Sequence, residues 1–213
     1  LAVTISRLLD TADPHENQFE GLMNLPRGPV VILSLLAAIT FLVEGAMLDW
    51  SALLITDLGL STPERAGVGY ALFAVAMTVG RFSGDVITAR FGDKNVMVWG
   101  GLTVLCGFTC LLMFNSYELA LIGFALIGLG ASNVVPVLFR QAGRQTVMPA
   151  ALAISAVTTI GYAGLLVGPA IVGFVSKQAS LQTGFWMLAA LMCLVPIFGR
   201  AGSSSKMVST STR

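Results

Sequence analysis

Six long runs of mainly apolar residues alternate with short polar or charged stretches along the chain. Each run comes close to the roughly 20 residues that an α-helix needs to cross the hydrocarbon core of a bilayer. The pattern therefore predicts an all-α, polytopic membrane protein with six transmembrane helices. We place these spans at Pro29–Leu54, Pro63–Phe82, Asn95–Phe114, Tyr117–Phe139, Met148–Ser176 and Leu181–Gly199.

Charged residues are scarce, and their distribution predicts an orientation. Of the 213 residues, 55% are apolar and only 11% are charged, whereas soluble domains carry about a quarter charged residues. Ten of the 12 Lys and Arg residues lie on the side that holds both termini, and only Arg65 and Lys177 lie on the other. The positive-inside rule therefore predicts cytoplasmic termini. The net charge of +1 argues against a nucleic-acid partner.

Two polar segments flank the apolar region. Residues 1–28 are mixed and acidic, and we interpret them as a cytoplasmic segment. Residues 201–213 are mostly small and polar, which is typical of a disordered tail. The six-helix transmembrane domain then covers residues 29–200. The chain begins at Leu1 rather than Met, so we expect it to be a fragment or a trimmed form of a longer protein.

Glycine and proline mark the fourth and fifth spans. Gly164 and Gly168 are one turn apart on one helix face, which a neighbouring helix can approach closely. Pro169 in the same span and Pro136 in the fourth span each remove a backbone hydrogen bond, so we expect both to bend their helices. These features fit a static bundle and a set of rocking helices equally well.

A charged, glycine-rich segment joins the second and third spans. Its marked residues are Gly80, Arg81, Gly84, Asp85, Arg90, Gly92 and Lys94. The segment resembles the loop signature of the major facilitator superfamily, although Ala89 stands where that signature has an acid. We expect Asp85 to pair with Arg81 or Arg90, and Gly92 to let the chain reverse tightly, so that the loop gates the cytoplasmic side. The alternative is a solvated loop whose positive charge only sets topology.

The resemblance covers about Pro29–Arg200. It implies half of a twelve-helix protein, with each half built as two three-helix inverted repeats, and it implies that residues 1–28 end a central cytoplasmic loop. This chain would then be the C-terminal half, and its partner an N-terminal half or a second copy. Residues 44–50 and 128–136 look most like bacterial permeases of the fucose-permease-like branch, which implies a bacterial inner membrane. The Gly164–Pro169 segment also resembles a glycine–proline motif of exporters in the same superfamily.

Two acids lie in the first span, where a charge is costly: roughly 2.5–3.5 kcal/mol at a helix centre. If Glu44 faces a central cavity, loss of hydration favours its neutral form, and it is able to bind and release a proton. The alternative for Glu44 is a hydrogen bond to a Ser, Thr or Asn of another helix. Asp49 is the second pathway candidate; its alternative is contact with water near the outer surface, with Trp50 in the interfacial aromatic belt.

Polar residues deep in other spans are candidates for the lining of a solute cavity. We select Asn133, which is near Pro136, and the pair Thr158 and Tyr162, which share one helix face. For each residue alone, a hydrogen bond between helices is the competing interpretation. The three cysteines lie in apolar runs without a neighbouring His or carboxylate, so we predict no metal site, no cofactor and no enzyme.

Together these observations predict a secondary active transporter of a small solute, coupled to protons and working by alternating access in the lipid bilayer. The main alternative is a membrane receptor or scaffold that transports nothing. An intramembrane enzyme lacks a recognisable catalytic cluster, and a six-helix channel lacks a repeated pore loop.

Overall fold

A computed structural model describes residues 26–201 of the chain, with side chains described as far as Gly199. The predictions of a cytoplasmic N-terminal segment and a disordered tail fall on residues 1–25 and 202–213, which lie outside the described residues. Within residues 26–201 every regular element is a helix. The helices are α1 (Pro29–Asp57), a 3₁₀ turn (Pro63–Arg65), α2 (Gly67–Phe82), α3 (Gly84–Met113), α4 (Tyr117–Ala131), α5 (Val134–Arg144), α6 (Ala150–Gln178), α7 (Leu181–Met192) and α8 (Leu194–Ala201).

Five segments are long and apolar enough to cross a membrane. They are Pro29–Asp57, Gly84–Met113, Tyr117–Arg144, Ala150–Gln178 and Leu181–Gly199. The prediction of a multi-pass, all-α membrane protein is thereby confirmed, while the number of six spans stays a prediction.

The second predicted span begins and ends differently from what the sequence suggested. Pro63 opens the 3₁₀ turn instead of α2, and the Thr62 side chain caps no backbone amide. The helix α2 is 16 residues long, which is too short by itself to span. Its path is interrupted only at Ser83 and resumes at once in α3. The helical path that begins at Gly67 therefore continues beyond Phe82.

The chain reverses at Gly92, as predicted. Gly92 has φ 78° and ψ 154° and is the one non-helical residue inside α3, a conformation that residues with a Cβ rarely adopt. On the N-terminal side of this glycine α2 runs parallel to α4, and on its C-terminal side α3 runs antiparallel to α4. The helical path of the second span therefore includes residues 84–91, and the third span starts after Gly92.

The fourth span is broken where Pro136 predicts a disturbance. Proline lacks an N–H, and its ring collides with the carbonyl four residues earlier, here that of Ser132. Accordingly α4 ends at Ala131 and α5 starts at Val134, with Pro136 in its first turn. A similar break at Cys193 precedes Pro196 between α7 and α8. By contrast, α6 continues through Pro169 without a residue leaving the helical region.

Glycines bring α6 into close contact with α1, and the two helices run parallel. A Cβ on Gly164 would collide with the carbonyl oxygen of Ala38, and a Cβ on Gly168 would lie 3.2 Å from the Cγ of Leu42. These two helices form the most extensive helix pair of the described residues. The predicted close approach at Gly164 and Gly168 is thus confirmed, and its partner is α1.

A second parallel pair, α2 with α4, uses glycine in the same way. A Cβ on Gly128 of α4 would collide with the carbonyl oxygen of Phe73 on α2. On its other side α4 meets α3 through Gly107 and Gly123, and a Cβ on either glycine would lie 2.7 Å from the carbonyl oxygen of the other. The helix α4 is therefore fixed between α2 and α3 by backbone contacts that side chains would prevent.

Candidate functional site

An ion pair joins the middle of α1 to α2. The guanidinium Nη2 of Arg81 lies 3.3 and 3.2 Å from the two carboxylate oxygens of Glu44. Glu44 is the sixteenth residue of the 29-residue α1, and Arg81 lies in the last turn of α2, whose helical path continues in α3. The Glu44 side chain is 15% exposed and that of Arg81 is 47% exposed. The pair therefore opens towards a surface that the described residues leave uncovered.

This pair corrects the prediction for Arg81 and differs from the alternative considered for Glu44. The alternative for Glu44 was a hydrogen bond to a Ser, Thr or Asn of another helix, whereas its partner is Arg81. Arg81 was expected in the cytoplasmic loop, which was wrong because helical structure resumes at Gly84, so Arg81 comes 11 residues before the reversal at Gly92. At a rise of about 1.5 Å per residue, that is roughly 16 Å of helix.

Asn133 forms hydrogen bonds at the break between α2 and α3, which lies next to Arg81. Its Nδ2 donates to the carbonyl oxygen of Gly80 at 2.9 Å and to the Oγ of Ser132 at 3.1 Å. The Ser83 hydroxyl also donates to the Gly80 carbonyl, at 3.1 Å. Asn133 is buried, so the structure places this candidate between helices. Its role in a solute pathway stays a prediction.

Gly80 and Gly84, predicted as parts of the gating loop, lie against the break between α4 and α5. A Cβ on Gly80 would collide with the Ser132 side chain, and a Cβ on Gly84 would collide with the Asn133 amide oxygen. Both glycines are buried. They allow α2 and the start of α3 to approach the broken fourth span closely.

Tyr162 and Thr158 lie on α6, the helix that packs closely against α1. The Tyr162 ring stacks on Phe41 with centroids 5.2 Å apart, and it is 51% exposed. The Thr158 hydroxyl donates to the carbonyl oxygen of Ile154 in its own helix, at 2.8 Å. Phe41 precedes Glu44 by three residues, a spacing at which side chains are neighbours on a helix. One face of α1 thus presents Phe41 and Glu44 between Tyr162 and Arg81.

Asp49 is not brought to this face. It is exposed, makes no salt bridge within the described residues, and is five residues from Glu44. Trp50 packs on α6, where a Cβ on Gly173 would lie 3.1 Å from its ring, and its place in the interfacial belt stays a prediction. Its indole Nε1 is buried without a hydrogen-bond partner.

A second charged cluster joins the Gly92 turn to α5. Arg140 lies 2.9 Å from Asp93 and 3.7 Å from Asp85, and Arg144 lies 3.5 Å from Asp93. The predicted pairing of Asp85 with Arg81 or Arg90 was wrong, because Arg81 binds Glu44 and Arg140 reaches Asp85 from α5. These residues line an open cleft with Thr88, Ala89 and Gly92. Asp93, Arg140 and Arg144 are the members that sequence reasoning did not assign to this site.

The remaining loop candidates make no ion pair in the described part of the chain. The guanidinium carbon of Arg90 lies 5.8 Å from the ring centroid of the adjacent Phe91. Lys94 is exposed. Among residues 26–201, no group of three or more His, Cys, Asp or Glu side chains is arranged to hold a metal ion.

Comparison with known proteins identifies relatives of this chain. The chain is 45% identical over 201 residues to an uncharacterized MFS-type transporter of Yersinia pestis, covering 94% of this chain and 52% of that protein. It is 30% identical over 205 residues to an uncharacterized transporter of Sinorhizobium fredii, covering 92% of this chain and 54% of that protein. The membrane protein MosC of Rhizobium meliloti is 30% identical over 166 residues, with 78% and 41% covered. The chain thus spans about half the length of these relatives.

The fold is similar to that of a solved transporter. A crystal structure of the peptide transporter POT, an E310Q mutant in complex with sulfate, matches with a TM-score of 0.71 at 18% identity, over 86% of this chain and 40% of that one. At this identity the likeness concerns the fold alone. The family model of the Major Facilitator Superfamily matches residues 19–204. With its membrane-length helices, the chain therefore belongs to the major facilitator superfamily.

Proposed function

We propose that this chain is the C-terminal half of a twelve-helix secondary transporter, which moves a small solute by alternating access coupled to protons. The observation that carries the proposal is the Glu44–Arg81 ion pair, 3.2 Å long and central in α1. Ionisable side chains at membrane depth are costly to bury and commonly mark ion or substrate pathways. A static bundle gains nothing from this pair that apolar side chains would not provide.

In this proposal Glu44 is the proton site. Protonation removes the charge that Arg81 neutralises, so the contact between α1 and α2 weakens when the proton arrives. The parallel contact of α1 with α6 at Gly164 and Gly168 leaves little side-chain interdigitation to resist rocking of these helices. A proton at Glu44 is thereby linked to the position of the helices that surround it.

The cytoplasmic gate, in this proposal, is the cluster of Asp85, Asp93, Arg140 and Arg144. Its two bridges to Asp93 connect the Gly92 turn to α5, and surface ion pairs of this kind form and break at small cost. They therefore hold one conformation without preventing the other. Arg90 and Lys94 add positive charge to the same side of the membrane.

The proposal also includes a partner for this half and the membrane in which the protein lies. An N-terminal six-helix half, or a second copy, would cover the exposed face of α6, which includes Tyr162, Leu166 and Phe174. In this proposal the first repeat contains the first three spans and the second repeat the last three. The α1–α6 pair joins the first span of one repeat to the second span of the other, and the α4–α2 pair does the same in reverse, as two inverted repeats would. We further propose that the chain belongs to the fucose-permease-like branch, that it lies in a bacterial inner membrane, and that both termini are cytoplasmic.

The test is proton movement in proteoliposomes that contain the full-length protein and a trapped pH-sensitive dye. Small solutes are added in turn, and solute-dependent acidification of the lumen identifies a proton-coupled substrate. We expect Glu44→Gln to abolish this acidification while Asp57→Asn, a change at the end of α1, leaves it intact. Flux that saturates with solute concentration distinguishes a transporter from a channel.

A receptor or scaffold would behave differently in the same experiment. No solute would move protons, and Glu44→Gln would have no consequence beyond a change in stability. That pair of results would reject the proposed transport function.

A further inference from the structure

Arg81 has hydrogen-bonding capacity that Glu44 does not use. Both contacts to the carboxylate come from one nitrogen, Nη2. Within the described residues Nη1 and Nε of Arg81 have no hydrogen-bond partner, and the side chain is 47% exposed. A guanidinium presents five N–H groups in a planar fork that matches a carboxylate in two parallel hydrogen bonds. The free edge of Arg81 is therefore suited to a second, external carboxylate.

Charge neutrality decides which solute this site accepts. With Glu44 ionised the pair carries no net charge, and an additional anion would leave one uncompensated negative charge beside the middle of α1. With Glu44 protonated, Arg81 alone is positive, and a neutral solute would leave that charge uncompensated. Under the proposed proton coupling Glu44 is protonated in the loaded state, and a monoanion bound to Arg81 then restores neutrality, whereas an unbalanced charge at this depth is expensive.

No other charge on the neighbouring helices alters this balance. The helices packed against α1 are α2, α5, α6, α7 and α8. Their ionisable side chains, as far as these are described, are Tyr70 and Arg81 on α2, Arg140 and Arg144 on α5, and Tyr162 and Lys177 on α6. Arg140 and Arg144 are bound to Asp93, and Lys177 is in the last turn of α6. Arg81 is the one of these charges that contacts Glu44.

An aromatic surface lies next to Glu44, the carboxylate that binds Arg81. Phe41 is one helical turn before Glu44, and Tyr162 stacks on it at 5.2 Å with the planes 17° apart. Phe41 thus covers one face of the Tyr162 ring, and the Tyr162 side chain is half exposed. An apolar or aromatic body attached to a carboxylate by a short link would contact this ring while its charge reached Arg81.

We infer that the Arg81–Glu44–Tyr162 face binds a small monocarboxylate with an apolar or aromatic body, and that the solute takes the place of Glu44 on Arg81 when Glu44 is protonated. The proton goes to the Glu44 carboxylate, and the solute carboxylate accepts the hydrogen bonds of the guanidinium. The site with both proton and solute bound carries no net charge, and neither does the site with both absent. The inference rests on the proposed function, since it names the solute class of that same pathway.

The test uses benzoate as the probe and benzamide, its neutral isostere, as the matched control. Thermal unfolding of the full-length protein in detergent is followed with increasing probe at several pH values. We expect benzoate, and not benzamide, to raise the unfolding temperature. Its apparent affinity should strengthen by about tenfold for each unit of acidification while Glu44 titrates, because one proton is bound with each anion.

Variants connect this binding to the two side chains. Glu44→Gln should bind benzoate tightly and without dependence on pH, because the amide leaves Arg81 free. The double variant E44Q/R81Q contains no unpaired charge, which protects its folding, and should lose benzoate protection entirely. Arg65→Gln, in the 3₁₀ turn, should behave like the unmodified protein. Equal protection by benzamide, or benzoate protection that survives in E44Q/R81Q, would overturn the inference.

The outcomes separate this inference from the proposed function. Proton-coupled uptake of neutral solutes, with no benzoate binding, would reject the carboxylate site and support the proposed transport function. Benzoate binding that depends on Arg81 and on acidic pH, without movement of any solute, would support the carboxylate site and reject the proposed transport function.

Discussion

At the scale of single residues, the central feature is a charged pair whose members need each other. Glu44 is the less exposed partner at 15%, so its charge depends on Arg81 for compensation. Breaking a buried pair by removing one partner commonly costs about 3–5 kcal/mol, because the other charge remains buried and unpaired. Removing both partners costs less.

This argument makes a prediction for a double-mutant cycle. Because Arg81 is half exposed, Arg81→Gln should lower the free energy of unfolding by about 1–3 kcal/mol near neutral pH, between the values for exposed and buried pairs, and Glu44→Gln in the same protein should recover most of that loss. The measurement is thermal unfolding of the detergent-solubilised protein. Arg65→Gln provides a control arginine, with an expected change within about 0.5 kcal/mol. Additive losses in the double variant would show that the two side chains do not interact.

Asn133 supports a second prediction at this scale. Asn133→Leu has similar volume but leaves the Gly80 carbonyl without the 2.9 Å amide donor, and loss of a buried partner costs about 1–3 kcal/mol. We expect a loss of stability in this range. The control is Asn95→Leu, since the Asn95 amide is exposed, and water can replace it as donor to the Phe91 carbonyl that it reaches across the Gly92 turn. If both variants lose the same stability, Asn133 does not hold the break.

At the scale of elements, glycine determines which helices are neighbours. The glycine face of α6 could be predicted from the spacing of Gly164 and Gly168, because one turn of separation places both on one side. Its partner α1 could not be predicted, since spacing within one helix carries no information about the surface opposite. The glycines of the α3–α4 contact, Gly107 and Gly123, were missed because they lie in different runs and show no repeat within either.

A substitution tests the α1–α6 contact. Gly164→Ala places a Cβ where the Ala38 carbonyl oxygen lies, so the helices must separate, and we expect a loss of about 1–3 kcal/mol from overpacking. Gly143→Ala on α5 meets only the Cδ1 of Ile154 at 3.8 Å and should be neutral or slightly stabilising, because alanine favours the helix. Unfolding in denaturant compares the two variants. Equal stability of the two would show that α1 and α6 are not in close contact at Gly164.

The helix boundaries show where prediction from sequence ended. Membrane-length apolar runs and the Gly92 reversal could be predicted, because length, apolarity and backbone freedom are properties of the local sequence. The continuation of the second span past Phe82 could not, since Ser83 and Gly84 usually interrupt a helix and here the break is held by Asn133 from another span. The Glu44–Arg81 pair was missed for the same reason: its geometry depends on that continuation.

At the scale of the whole molecule, this chain has an uncovered face. Tyr162, Leu166 and Phe174 of α6 are exposed, and the family relatives are about twice as long as this chain. We expect the native protein, detected through its C-terminal tail on a denaturing gel, to be about twice the 22.3 kDa of this chain, because two halves enclose one site. A band at the size of this chain would instead require a homodimer, and crosslinking through Tyr162→Cys would then test for it.

The pairing of α1 with α6 has a consequence for how this domain reaches its final structure. Ala38 and Gly164 touch although 126 positions separate them in the chain, so contacts of this kind form late and slow the search. While the ribosome is still making α4, the first helix has already entered the bilayer, and the face that will contact α6 has no partner. The domain is therefore most vulnerable to membrane quality-control proteases between insertion of α1 and arrival of α6, and a slow stretch of synthesis in that interval would lower the yield.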